Sequence, residues 1–403
     1  MRKISLLSFV VGLLVVVPGL VDEVWADRAP KRPYQYVSLD EAVPEGFFFF
    51  DAAAITDSGR VYVTLLQCDP DCLTFVAVYH RGEMTVLHEG FAVTGNNRGQ
   101  IGGAVNDDMG LPQAALFTRS EVELLPRLPD EFLAAVIRLT NSGIALVESL
   151  DPNFNGSYYL TKHDHVTPLN FGPDPARHFD INDRGIISGT SSRPEGDRAF
   201  RYDPSSGNFT VLEPLPTELE SRGQAINNRG DVLGYSFVFD GLERIGVWRG
   251  TEFRTYFVEG TPEVPTLSNR LLWNERGLIV ITDTDPADLG SYLVPRPGVR
   301  LNLADLTEGP LPVWTLIIDI NNRGDLIGIG GPQQFFADSA FLLRRVGPLD
   351  GKGGDVEVVA ASSLRSAGGG ARHASALERV HDELLERWLG KGRAEQRKDV
   401  SDE

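Results

Sequence analysis

The sequence predicts an all-β protein, a seven-bladed β-propeller with an N-terminal strand closing the last blade, followed by a C-terminal linker and helix. Three observations carry this. A four-residue polar turn ending in Gly recurs seven times, at Gly59, Gly99, Gly143, Gly185, Gly230, Gly277 and Gly324. These glycines stand 40, 44, 42, 45, 47 and 47 residues apart, the period of a four-stranded blade. The seventh repeat runs out at about Arg345 after three strands, while an unassigned strand-like segment precedes the first repeat. With 42 Gly, 25 Pro and 23% charged residues, the composition is that of a turn-rich globular chain.

Residues 1–26 come first. Met1-Arg2-Lys3, an apolar run from Ile4 to Val21, and Val24-Trp25-Ala26 before Asp27 make a secretory signal peptide cut after Ala26. An uncleaved anchor is the alternative, although Pro18 and Gly19 weaken a spanning helix. The expected location is secreted or periplasmic, with no membrane span after cleavage. A formal charge of −18 repels phosphate backbones, so nucleic acid is excluded as a partner.

The propeller is expected over 34–349. Tyr34-Gln35-Tyr36-Val37-Ser38-Leu39 alternates as a strand and is predicted to pair with Ala340 to Leu343 as the outer strand of the seventh blade, which removes an open seam. Each repeat then starts with a short apolar strand, such as Gln224-Ala225-Ile226, and turns through residues such as Asn227-Asn228-Arg229-Gly230. Asn or Asp hydrogen-bonds such a turn and Gly supplies its positive φ, so these residues read as turn chemistry. A second strand follows, as in Asp231 to Tyr235. Gly103, Gly189, Gly234 and Gly328 recur within it, where a missing side chain is expected to let neighbouring blades approach near the hub. Third strands are read at Ala114–Phe117, Ser157–Leu160, Ala199–Tyr202, Ile245–Trp248, Ser291–Val294 and Ala340–Leu343; fourth strands alternate, as in Phe209 to Leu212.

The Ile-Asn-x-x-Gly turns, the Val-x-Gly strand and the triplets Arg198-Ala199-Phe200 and Ser339-Ala340-Phe341 resemble the bacterial extracellular HAF-repeat family over roughly residues 34–345. The His that names the family is absent throughout, and repeats one, three and six depart from the turn pattern. The resemblance implies a secreted, propeller-like protein and no defined reaction.

Cys68 and Cys72, the only cysteines, lie between the second and third strands of the first blade; in an exported chain they are expected to form a local disulfide. A metal site there lacks two further ligands. His163-Asp164-His165 reads as a hairpin tip. No Gly-x-Ser-x-Gly, His-Glu-x-x-His or phosphate-cradling motif occurs. Asp151, Asn153 and Asn155 match the start of a calcium loop, but Lys162 stands where an EF-hand needs its last acid, leaving a weaker calcium site or a plain Asn/Gly turn. No other cofactor is expected.

Because strands alternate in direction, the turns joining strands one and two open on one face of the disc and the loops joining strands two and three on the other. Those second loops gather Asp69 and Asp71, Asn106 with Asp107 and Asp108, Asp151, and Asp283, Asp285 and Asp288, which suits calcium or a cationic partner. Loop preference for Asp and Asn is the competing explanation.

Residues 350–372 form a Gly- and Ser-rich linker. Residues 373–397 form an amphipathic helix with Leu377, Val380, Leu384 and Trp388 on one face, which docks a partner or packs back on the propeller. Together these features point to an exported, non-enzymatic binding or scaffold protein with a protein or glycan partner. The alternative is a polysaccharide-acting hydrolase or lyase with its site at the channel, which carboxylates of perturbed pKa there would favour.

Overall fold

The computed structural model describes residues 32–68, 72–163, 165–238, 243–259, 270–282, 290–331 and 339–349. The signal peptide, linker and C-terminal helix expected from sequence lie outside the described residues, as do Asp69, Asp71, Asp164, Asp283, Asp285 and Asp288.

Seven sheets succeed one another along the chain, and in the first six the strands are ordered as they occur in sequence. Blade 1 comprises Phe48–Ile55, Val61–Cys68, Cys72–His80 and Glu83–Glu89. Blade 2 comprises Phe91–Gly95, Ile101–Asn106, Pro112–Phe117 and Val122–Leu124. Blades 3, 4, 5 and 6 repeat the pattern from first strands at Leu133–Leu139, Ala176–Ile181, Glu220–Ile226 and Arg270–Trp273. Blade 7 comprises Trp314–Ile320, Leu326–Gly331 and Ser339–Arg345. Its next strand is Tyr34–Ser38, antiparallel in the register Tyr34↔Arg345 to Ser38↔Phe341.

The closing strand is locked at both ends. Tyr34 is fully buried and its hydroxyl donates to the Gly324 carbonyl at 2.9 Å; burial pushes its phenol pKa up. The Leu39 amide donates to the Ala340 carbonyl, and the Ala340 amide to Asp40 Oδ1. One detail differs from expectation. Tyr34–Ser38 is not outermost, because Thr307–Glu308 pairs with it in parallel on its far side. The chain crossing from blade 6 passes through a short helix, Leu303–Leu306, capped by the Asn302 side chain, and then covers the exposed edge.

Both faces of each blade are apolar, so the core is divided among the junctions. One cluster joins Val61, Val63 and Leu65 of blade 1 to Leu316, Ile327 and Leu342 of blade 7; another joins Leu233 and Val247 of blade 5 to Ile279 and Val294 of blade 6. Each of the other five junctions has its own cluster.

The recurrent glycines serve a purpose other than the predicted one. A Cβ on Gly103 would stand 1.8 Å from the Phe91 carbonyl oxygen, and one on Gly234 1.9 Å from that of Arg222. Both obstacles belong to the first strand of the same blade, not to a neighbouring blade. The close approach arises because that strand bulges beside the glycine, between Ala92 and Thr94 or between Gly223 and Ala225.

Candidate functional site

The seven turns meet in a ring. The second turn residue of each blade donates its backbone N–H to the side-chain oxygen of the equivalent residue in the next blade. The order is Asp57 to Asn97, Asn141, Asp183, Asn228, Glu275, Asn322 and back to Asp57, at distances from 2.6 to 3.0 Å. Inside it, Asn96, Asn182, Asn274 and Asn321 each donate a side-chain amide to the first turn residue of the next blade. Sequence reasoning assigned these residues to turns; they also tie blade to blade.

First-strand bulges occur in six blades, all but blade 6. By shifting the alternation they turn residues next to the hydrogen-bonded turns toward the axis. There the innermost strands enclose a cavity of about 220 Å³ to which every blade contributes, with Thr94, Arg138, Asp180, Gln224, Arg270 and Asp319 as its polar and charged lining.

The charged side chains here, with Asp51 beside them, are half-buried, surrounded by protein but not sealed from solvent. Asp319 Oδ2 accepts the Ile55 amide of blade 1 at 2.8 Å and its Oδ1 accepts Ile320 N; Asp180 Oδ2 accepts the Ile226 amide of blade 5 at 2.8 Å. Arg138 Nε stands 3.4 Å from Asp180 Oδ1. Asp51 Oδ1 accepts the Ala52 amide. Desolvation pushes Asp51 and Asp319 up to about 6, against the opposing pull of backbone N–H groups and Arg270; it raises Asp180 too, with Arg138 opposing. Arg270 is lowered to about 10 by desolvation and by Arg138, and so stays cationic at neutral pH. Arg270 forms no hydrogen bond or ion pair among the described residues.

None of these residues was singled out from sequence. A signal was available: aligned on the turns, the position two before the first turn residue reads Ala54, Thr94, Arg138, Asp180, Ala225, Leu272 and Asp319, so charges recur inside otherwise apolar strands.

The residues that were singled out lie elsewhere. Cys68 and Cys72 form a disulfide across the ends of strands two and three of blade 1. It closes so short a loop that chain entropy assigns it only about 2 kcal/mol. His163 and His165 flank the hairpin between Gly156–Lys162 and His165–Pro168. Asp107 is engaged by its own turn, accepting Met109 N and Leu111 N, and pairs with Arg127 at 2.9 Å; despite desolvation, the Leu111 amide and Arg127 hold its carboxyl low. Asp108 is exposed. Asp151 accepts Asn153 N and Asn155 N on one oxygen and Asn155 Nδ2 on the other; the Asn155 side chain is the chief reason its pKa is lowered.

Asp107, Asp108 and Asp151 share the face opposite the turn ring, and so do seven of the eight exposed large apolar side chains among the described residues. These are Phe48, Leu73, Met109, Leu124, Phe154, Leu219 and Val313, all at strand ends or connections on that face; only Val346 lies on the turn side. Beside them stand the exposed carboxylates Glu45, Asp108 and Asp130. The turn face instead carries exposed Arg98, Arg184, Arg229, Arg276 and Arg323 at the third turn position.

No family's sequence model matches the chain, and no curated protein matches it. Likeness to solved structures is to propellers. The β-propeller domain of the Trilobed protease from Pyrococcus furiosus, described as an open velcro topology, is similar at a TM-score of 0.50 with 6% identity, over 74% of this chain and 96% of that one. In this chain Tyr34–Ser38 closes the ring instead. Pyrococcus horikoshii acylaminoacyl peptidase is similar at 0.48 and 8% identity, over 74% of this chain and 51% of that one. A structure of YCF48 bound to D1 peptide is similar at 0.44 and 11% identity, over 78% of this chain and 96% of that one. At these identities the likeness shows the fold alone.

Proposed function

We propose that the protein is an exported, non-enzymatic binding or scaffold protein of the HAF-repeat kind, which docks a cationic protein segment with an apolar side on the face opposite its turns. The observation that carries this is the one-sided gathering of exposed apolar side chains with unpaired carboxylates. Met109 is 72% exposed and Val313 77%, beyond what scattered surface residues explain when nearly all share one face. Glu45, Asp108 and Asp130 beside them make no ion pair among the described residues, so the face attracts positive charge. Export is supported by the Cys68–Cys72 disulfide, which needs an oxidising compartment, and by the signal-like first 26 residues. No described helix is long and apolar enough to cross a membrane. Calcium at Asp151, Asn153 and Asn155 belongs to the same proposal as a stabiliser of this face, with Asp283 and Asp285 as further candidates from the sequence.

The test is direct binding of the protein from residue 27 onward to a panel of Lys- and Leu-rich peptides, with a glycan array alongside. A salt-sensitive peptide interaction is expected, weakened tenfold or more by combining Met109→Ser, Val313→Ser and Asp108→Asn, and unchanged by Arg98→Ser with Arg276→Ser. Equal losses from both faces, or binding confined to glycans, would overturn the cationic-protein reading.

The hydrolase or lyase alternative has one observation in its favour, the raised pKa values of Asp51 and Asp319. Against it, one oxygen each of Asp319 and Asp180 accepts a backbone amide of another blade, and the second oxygen of Asp319 accepts the Ile320 amide of its own strand. The cavity, at about 220 Å³, also falls below the range of pockets that enclose larger ligands.

A further inference from the structure

Independently of what docks on the acidic face, we propose that the axial cavity binds a small zwitterionic solute of the amino-acid class, its carboxylate seated on Arg270 and its ammonium end facing Asp319. Arg270 begins the first strand of blade 6 and lines the cavity without a hydrogen bond or ion pair among the described residues. Arg270 is half-buried, so its five donors are left to whatever occupies the cavity, and its planar fork matches a carboxylate. Trp273, on the same strand and also lining the cavity, has a buried indole N–H without a partner, so blade 6 presents a surplus of donors.

Acceptors dominate elsewhere in the cavity. Asp319 and Asp180 come from blades 7 and 4, and Asp51 acts electrostatically on the same guanidinium. Arg138 is already matched to Asp180, which leaves Arg270 as the free cation and the Asp319 region as the anionic end. A ligand carrying both charges satisfies both ends without changing the net charge of the site; a simple anion or a simple amine satisfies one. The volume of about 220 Å³ equals roughly seven waters, room for a small solute but not a polymer.

The experiment is isothermal titration and thermal melting of the full mature chain with single amino acids of increasing side-chain size. Acetate, the matching primary amines and inorganic phosphate serve as one-ended probes. Saturable binding and a raised Tm are expected for one or more small amino acids and at least tenfold weaker binding for the one-ended probes. Arg270→Gln is expected to abolish the effect, and Asp319→Asn to narrow the preference of amino acids over acetate. Should Arg270→Gln fail to fold, Gln224→Trp, which occupies the cavity without touching a charge, is expected to block binding equally. No binding by any amino acid at millimolar concentration, or binding that survives both variants, would overturn the proposal and leave the cavity to water. Because no variant here lies on the acidic face, that failure leaves peptide docking intact, and the reverse also holds.

Discussion

At the scale of single residues, the carboxylates on the axis trade stability for placement. Asp51 stands at about 6 because the surrounding strands desolvate it, above its ordinary value of 3.8. A carboxyl raised in this way binds more protons folded than unfolded. Its contribution to stability is therefore present below the unfolded value and lost as pH rises through about 6. Asp51→Asn keeps the shape and removes the charge. It is expected to match the parent at pH 3.5 and to exceed it by about 1 kcal/mol at pH 8, after discounting for channel water; paired denaturation curves at the two pH values read this, and a variant no more stable at pH 8 would refute it. These residues were hard to see in the sequence for a physical reason. The first strands are short and bulged, so strict alternation breaks next to Arg138, Asp180 and Asp319, and a period of two cannot say which side chains turn inward.

Among the elements, the closing strand bears the sharpest consequence. Tyr34 fills the junction of blades 6 and 7, packed with Leu278, Leu306 and Phe341, and its hydroxyl reaches Gly324. Tyr34→Ala is expected to destabilise the protein by about 3–5 kcal/mol, as for other large buried aromatics, whereas Gln35→Ala one place on should change little. Chemical denaturation of the pair decides it, and similar small effects from both would show that the strand is not what closes the ring. This pairing was legible beforehand because a missing fourth strand and a spare alternating segment can be counted. The parallel Thr307–Glu308 edge was not, since two residues carry no periodicity. The third strands were legible as well, because Ala199 to Tyr202 and Ala340 to Leu343 are short, mainly apolar runs that pair with the second strands without a bulge.

Over the whole molecule, stability is shared among seven similar junctions, so a weakness in one should be felt by all. Asp183 is a convenient probe, accepting the Asn141 amide and both the Asn141 and Asn228 side chains. Asp183→Ala is expected to lower the unfolding free energy by about 1–2 kcal/mol with an unchanged denaturant slope, while Arg184→Ala leaves both unaltered. A reduced slope would mean that blades melt separately. The ring of turns has a further implication. Its bonds run head to tail with the same donor and acceptor at every step, so no blade is intrinsically first or last. The described chain also returns to its start, with the Val346 amide donating to the Pro33 carbonyl at 2.8 Å. The covalent gap is thus a matter of where the polypeptide happens to be cut: a circular permutant that joins these neighbours and opens between two other blades would keep every inter-blade link of the turn ring.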